Sequence, residues 1–258
     1  MTRIAETFAR LRARGRKGLV AFVTAGDPSP QRTVEVAREL EAGGVDVLEL
    51  GVPFSDPLAD GPVIQRSSER ALRAGVTLEA VLDMVRVLRR QSALPLVLFS
   101  YFNPLLRYGL ARLAADAAQA GVDGVLVTDL PPEEADEWLA VAREAGLDTI
   151  FLAAPTSPDQ RLRRVAAASR GFVYAVSRTG ITGEQERLSE DARPLLERLR
   201  ALTAEPLALG FGISTPAQVA EAAGAADAVV VGSALVRFLE EQPRGDVAER
   251  VRWLKSAM

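Results

Sequence analysis

The chain contains no histidine and no cysteine. Without cysteine there are no disulfides and no thiolate chemistry, and the composition fits a reducing compartment. Without histidine the commonest general base and transition-metal ligand is missing, which argues against zinc or non-haem iron and leaves only a carboxylate-held magnesium open. Lysine is nearly absent too: of 31 basic residues only Lys17 and Lys255 are lysines, the rest being arginine. No apolar run approaches the ~18 residues of a membrane span. The first residues also lack the apolar core of a signal peptide; Ile4, Phe8 and Leu11 form instead one stripe of a short amphipathic helix. A cytoplasmic protein is expected.

What is present is an ordinary globular composition of 258 residues, 48% hydrophobic and 25% charged. Arginine-rich stretches such as Arg10 to Arg16 would suit nucleic acid, but 34 acidic residues outnumber the bases, so solvated helix faces are the simpler reading.

One phrase recurs along the chain. Ala42-Gly-Gly-Val-Asp46, Ala120-Gly-Val-Asp123, Ala145-Gly-Leu-Asp148 and Ala223-Gly-Ala-Ala-Asp227 each lead into a continuous apolar run. Glycine just past a helix tolerates the left-handed conformation that ends it. Apolar residues at successive positions suit a parallel strand covered on both faces. Further runs begin at Gly18, Pro95, Gly171 and Pro206. Helical patterns lie between them, among others over Gln31–Ala42, Leu78–Arg90, Glu133–Ala145 and Thr215–Ala223. Eight strands alternating with helices in this length predict an α/β chain forming one single-domain (β/α)8 TIM barrel over residues 1–258, with an extra N-terminal helix. A doubly wound open sheet is the alternative, but it usually opens on a glycine-rich nucleotide loop, and Thr24-Ala-Gly-Asp-Pro28 is not one.

A barrel gathers its chemistry at the C-terminal ends of its strands. There stand Thr24 and Asp27, Glu49, Tyr101 and Asn103, Thr128 and Asp129, and Tyr174 with Ser177 and Arg178. Glu49 follows Val47 and Leu48; pointing into the lumen it would be desolvated and hold its proton near neutral pH, whereas pointing elsewhere it would pair with an arginine or cap a loop. Asp60 lies in a loop stiffened by Pro53, Pro57 and Pro62, and Asp56 beside it reads better as a turn former or surface contact. Gly212-Ile-Ser-Thr-Pro216 and Gly232-Ser-Ala234 each carry a strand into a helix start, where free backbone N–H groups attract an anion. That placement favours a phosphate site over two merely tight turns. A third glycine pair, Gly180 and Gly183, lies in a polar stretch, residues 177–190, with the character of a lid. Neither lysine sits at a strand end for Schiff-base chemistry, so carboxylate acid–base catalysis remains.

The stretch Glu49-Leu-Gly-Val-Pro-Phe-Ser-Asp-Pro-Leu-Ala-Asp60-Gly-Pro62 resembles the signature of the tryptophan synthase α subunit family. Matches run the length of the chain: Phe22 to Pro28, Ser100 to Pro104, Asp129-Leu-Pro131, Tyr174 to Gly183 and Phe211 to Pro216. The resemblance implies a lyase of tryptophan biosynthesis that splits indole-3-glycerol phosphate into indole and glyceraldehyde 3-phosphate. It implies Glu49 as the acid that protonates indole C3, and the base for the glycerol hydroxyl, with Asp60 accepting the indole N–H. It puts the phosphate on Gly183, Gly212, Gly232 and Ser233, and a pocket of Phe22, Phe99, Tyr101, Leu152, Tyr174 and Phe211 around the ring, with Thr182 closing onto Asp60. It implies no metal and no cofactor in this chain; pyridoxal phosphate would belong to a β subunit, paired with this chain in an α2β2 heterotetramer through loop Pro53–Pro62 and residues 101–108. Two positions depart from the common pattern: Ser68 where asparagine is frequent, and Phe99 in place of an aliphatic residue. The rival readings are another phosphate-binding barrel of the same pathway and a barrel that only activates a partner.

Overall fold

The computed structural model describes residues 2–176, 191–210 and 212–258. Its strands are β1 (Gly18–Thr24), β2 (Val47–Gly51), β3 (Leu96–Ser100), β4 (Gly124–Val127), β5 (Asp148–Ile150), β6 (Leu152–Ala153), β7 (Val173–Val176), β8 (Leu207–Gly210) and β9 (Ala228–Val231). All pairings are parallel, in the order β5-β4-β3-β2-β1-β9-β8-β7-β6. β5 and β6 are separated by Phe151 alone, so these two end segments are pieces of one stave. The nine segments thus make an eight-stave, nearly closed barrel, as the repeat predicts.

The αβ junctions show why the recurring phrase exists. Gly44, Gly121 and Gly146 end their helices in the left-handed conformation. Gly224 does not; it keeps right-handed helical angles. The step there is one residue longer, and Ala225 and Ala226 both donate to Ala222 O, so the chain turns by helical means. The aspartate closing the phrase has a repeated job. Asp46, Asp123 and Asp227 each accept, through Oδ2, the N–H of the first or second residue of a neighbouring strand: Leu19 at 2.9 Å, Leu96 at 2.8 Å and Leu207 at 2.9 Å. A charged acceptor on an otherwise unpaired strand-entry N–H satisfies a group that burial would penalise.

Alternate residues of each strand face opposite ways, so the barrel has two apolar layers. One, between sheet and helices, collects Leu19, Ala21 and Val23 from β1 and their counterparts. The other fills the lumen with Val20, Val47, Val97, Leu126, Ile150 and Ala208. The expected N-terminal helix forms over Arg3–Ala13, and Ile4, Phe8 and Leu11 close the lower end of this lumen layer. Phe8 meets Phe172 there at 5.9 Å between ring centroids. Thr2 donates to Asp148 and Arg3 to Asp123, fastening the helix to two of the repeat aspartates.

The expected helices are present with shifted ends. Gln31–Ala42 is observed as Pro30–Gly43, Leu78–Arg90 as Leu78–Arg89 and Thr215–Ala223 as Pro216–Ala223, capped by Thr215. Glu133–Ala145 is split: a 3-10 turn over Pro132–Glu134 precedes a helix over Asp136–Ala145. Two helices position the site most directly. Pro62–Arg73 follows the Asp60 loop, and Ser233–Glu241 leaves β9. Among the described residues no helix is long and apolar enough to cross a membrane.

Candidate active site

The register that pairs Phe22 with Glu49 and Glu49 with Val97 places Glu49 one pleat above Val47, on the lumen side. Its side chain is fully buried, and neither carboxylate oxygen has a hydrogen-bond partner. Burial alone pushes its pKa up to about 8, because a charge there would lose its hydration with nothing in exchange. The alternatives of an arginine partner or a loop cap are ruled out by the missing partner.

Asp60 reaches the same space from the loop before helix Pro62–Arg73. It is 5% exposed. Burial raises its pKa to about 6, and the hydroxyl of Tyr101, donating to Oδ2 at 3.0 Å, opposes that rise. The two acids therefore differ: near pH 7 Glu49 holds its proton and Asp60 has lost its own. The Tyr174 hydroxyl is driven well above 10, first by burial and then by the charges of Glu49 and Asp60.

Both acids line one cavity at the C-terminal mouth, holding about 660 Å³ of atom-free space out to its opening. Its walls are mainly apolar. Phe22 and Phe99 meet edge to face, 5.0 Å apart and inclined by 73°. Gly51, paired with Phe99, makes room for this: a Cβ there would lie 2.5 Å from the Phe22 ring. Leu152 and Tyr174 form the facing wall. At the rim stand Gly212, Gly232 and Ser233. Gly212 has φ +76°, which a side chain would strain. Gly232 and Ser233 begin helix Ser233–Glu241, whose first N–H groups have no intrahelical acceptor.

The structure thus gathers Phe22, Glu49, Asp60, Phe99, Leu152, Tyr174, Gly212, Gly232 and Ser233 around one cavity. Tyr101 is the exception: it does not line the cavity but stands behind Asp60, because its ring is turned onto Phe54 at 5.1 Å. Thr182, Gly183 and Phe211 lie outside the described residues, as does the 177–190 stretch read as a lid. Thr128, expected at the end of its strand, lines the cavity too, and four lining residues were not anticipated: Ala59, Ile64, Ile213 and Val230. Val230 and Thr128 carried a signal, since they share lumen parity with Gly232 and Leu126; Ile64, reaching in from a helix, carried none.

Other strand-end groups serve the scaffold. Asp27 takes a two-pronged bond from Arg70 at 2.8 and 2.7 Å, and Arg70 also reaches Glu240, tying helix Pro62–Arg73 to the β1 loop and to helix Ser233–Glu241. Thr24 pairs with Ser67. Asp129 accepts the N–H of Phe102 at 2.6 Å. Asp56 is exposed and bonded to Ser55, as a turn residue should be. Ser68 is buried on helix Pro62–Arg73.

The comparisons with known proteins agree with this geometry. The family model described as tryptophan synthase alpha chain matches residues 8–257. The chain belongs to the tryptophan synthase alpha chain family. It is 55% identical to the tryptophan synthase alpha chain of Solibacter usitatus over 249 residues, covering 96% of this chain and 93% of that one. It is 50% identical to that of Geotalea uraniireducens, covering 100% and 97%. Among solved structures, Mycobacterium tuberculosis tryptophan synthase is similar with a TM-score of 0.93 at 40% identity, covering 99% of this chain and 98% of that one. A chain of the α2β2 tryptophan synthase complex from Pyrococcus furiosus is similar with a TM-score of 0.87 at 41% identity, covering 93% and 98%. The tryptophan synthase alpha chain family thus accounts for the barrel, the extra helix and the length.

Proposed function

We propose that this chain cleaves indole-3-glycerol phosphate into indole and glyceraldehyde 3-phosphate. The observation that carries the reading is the pair of unlike acids in one apolar cavity: Glu49 fully buried and without a partner, Asp60 held by the Tyr101 hydroxyl. Glu49 delivers its proton to C3 of the indole ring, turning the ring into an electron sink. Positive charge develops at the ring nitrogen, and the Asp60 carboxylate accepts that N–H and stabilises it. The Glu49 carboxylate then takes the proton of the glycerol hydroxyl next to the ring. As the carbonyl forms, the bond to C3 breaks and its electron pair restores the aromatic ring. One proton enters at C3, one leaves the hydroxyl, and Glu49 ends as it began.

The apolar walls of Phe22, Phe99, Leu152 and Tyr174 suit an aromatic bicyclic ring. Its phosphate would accept from the main-chain N–H groups at Gly232 and Ser233, with Gly212 opposite and Gly183 expected to join them. Pyridoxal phosphate does not fit this chain's own site: Lys255 is bound to Gly44 and Asp46, and Lys17 faces Asp227, both at the strand-entry end. The cofactor belongs to a β subunit in an α2β2 assembly that receives the indole, and the assembly works in the cytoplasm. Leu58, 85% exposed at the tip of loop Pro53–Pro62, and Leu106 offer the apolar surface for that partner. Partner binding settles the exposed tip of this loop around Leu58 and raises turnover; equal turnover with and without the β subunit would remove the coupling.

The decisive assay follows indole release from indole-3-glycerol phosphate by the purified chain. Glu49→Gln should abolish turnover while substrate binding stays nearly intact. A variant that keeps most of its activity would take Glu49 out of this role.

A further inference from the structure

We infer that Tyr101 is a positioning residue for this reaction, holding Asp60 by one carboxylate oxygen so that the other faces the ring N–H, and that the Phe54 ring holds Tyr101 in turn. The inference rests on the function proposed above.

Tyr101 follows β3 directly and caps helix Phe102–Tyr108 in an extended conformation. Its ring is 4% exposed and packed on Phe54, so the hydroxyl has little freedom. That one oxygen makes two bonds to adjacent loop residues. It accepts the N–H of Ala59 at 3.0 Å and donates to Asp60 Oδ2 at 3.0 Å. The loop carrying Asp60 is thereby pinned to the barrel at both the backbone and the side chain. The directions matter: with its only proton committed to Oδ2, the tyrosine acts through the carboxylate and not on the substrate. Among the described residues no donor reaches Oδ1, and the cavity lining contains no cation. Thr128, just after the adjacent β4, commits its one proton to Ser100 O at 3.2 Å, so the contact that holds the Tyr101 ring is Phe54, 5.1 Å away between centroids and inclined by 33°.

The titratable groups facing Asp60 are Glu49 from β2, Tyr174 from β7 and Tyr101 itself. The first two hold their protons near pH 7; burial disfavours the Asp60 charge, and the Tyr101 hydrogen bond favours it. Removing that hydroxyl should therefore make Asp60 keep its proton to higher pH.

The test is the pH dependence of kcat and kcat/KM for indole release by Tyr101→Phe, Phe54→Leu and Phe54→Tyr, with urea unfolding of each. Tyr101→Phe should lose about tenfold or more in kcat/KM at neutral pH, mostly in kcat. Its acid limb should move to higher pH. Phe54→Leu should move the limb the same way by less, and Phe54→Tyr, which keeps the ring, should leave it where the wild type has it. A purely structural tyrosine would lower stability and leave the limb in place, and that result overturns the inference. If Tyr101→Phe does not fold, the Phe54 pair decides: identical limbs in both variants overturn it. Failure of the wild-type chain to release indole would instead overturn the proposed function.

Discussion

The same desolvation that holds the Glu49 proton in place should make this residue a burden on the fold. Glutamine has the shape of a protonated glutamate and no charge to bury, so Glu49→Gln isolates that burden. Glu49 moves from an ordinary 4.5 up to about 8 on folding. The folded state therefore keeps a proton that the unfolded chain releases. Its contribution is fully present below about 4.5, shrinks as pH rises, and is lost once pH passes about 8. At ~1.4 kcal/mol per tenfold change in proton concentration, the whole span is on the order of 4 to 5 kcal/mol. Glu49→Gln has no such slope. Its stability should match the wild type near pH 5 and exceed it by on the order of 3 kcal/mol or more above pH 8. Urea unfolding followed by circular dichroism at about pH 5, 7 and 8.5 reads the gap directly, provided the urea slopes agree. A gap that stays constant with pH, or a glutamine variant weaker at every pH, would refute the claim that an unpartnered Glu49 charge is what burial opposes.

Two further outcomes follow from the same geometry. The kcat/KM for indole release should be bell-shaped, falling below about 6 as Asp60 protonates and above about 8 as Glu49 ionises; a steady-state pH series checks it, and activity undiminished toward pH 9 would contradict the alkaline limb. Gly210→Ala would put a Cβ 2.3 Å from the Tyr174 hydroxyl oxygen in the cavity wall; activity should fall at least ~10-fold, and Tyr174→Phe in the same chain should return part of it by shortening the side chain that clashes, on the usual cost of overpacking.

Much of this was legible in the linear chain because its signals are local. The Gly-x-Asp phrases mark helix ends and strand starts through backbone conformations that few residues adopt, and uninterrupted apolar runs mark strands buried on both faces. The period-3.6 stripe of Ile4, Phe8 and Leu11 foretold the helix that closes the lumen. Helix ends were less legible: Pro132–Glu134 forms a 3-10 turn where a continuous helix is expected, because the competition between one turn geometry and another is decided by tertiary packing. The site divides the same way. Glu49, Gly212, Gly232 and Ser233 follow from strand parity and turn position, whereas Ile64 enters the cavity from a helix that no local pattern aims there.

The linear chain by itself determined the barrel, the carboxylate chemistry left when histidine, cysteine and usable lysine are missing, and the end of the barrel where that chemistry sits. Only the tertiary structure decided that Glu49 stands without a partner while Asp60 has one, and that Tyr101 serves Asp60 from behind rather than lining the cavity. The reason is that an ionisation state is set by everything within a few ångströms, and those neighbours come from β2, β3, β7 and a loop far apart in the chain.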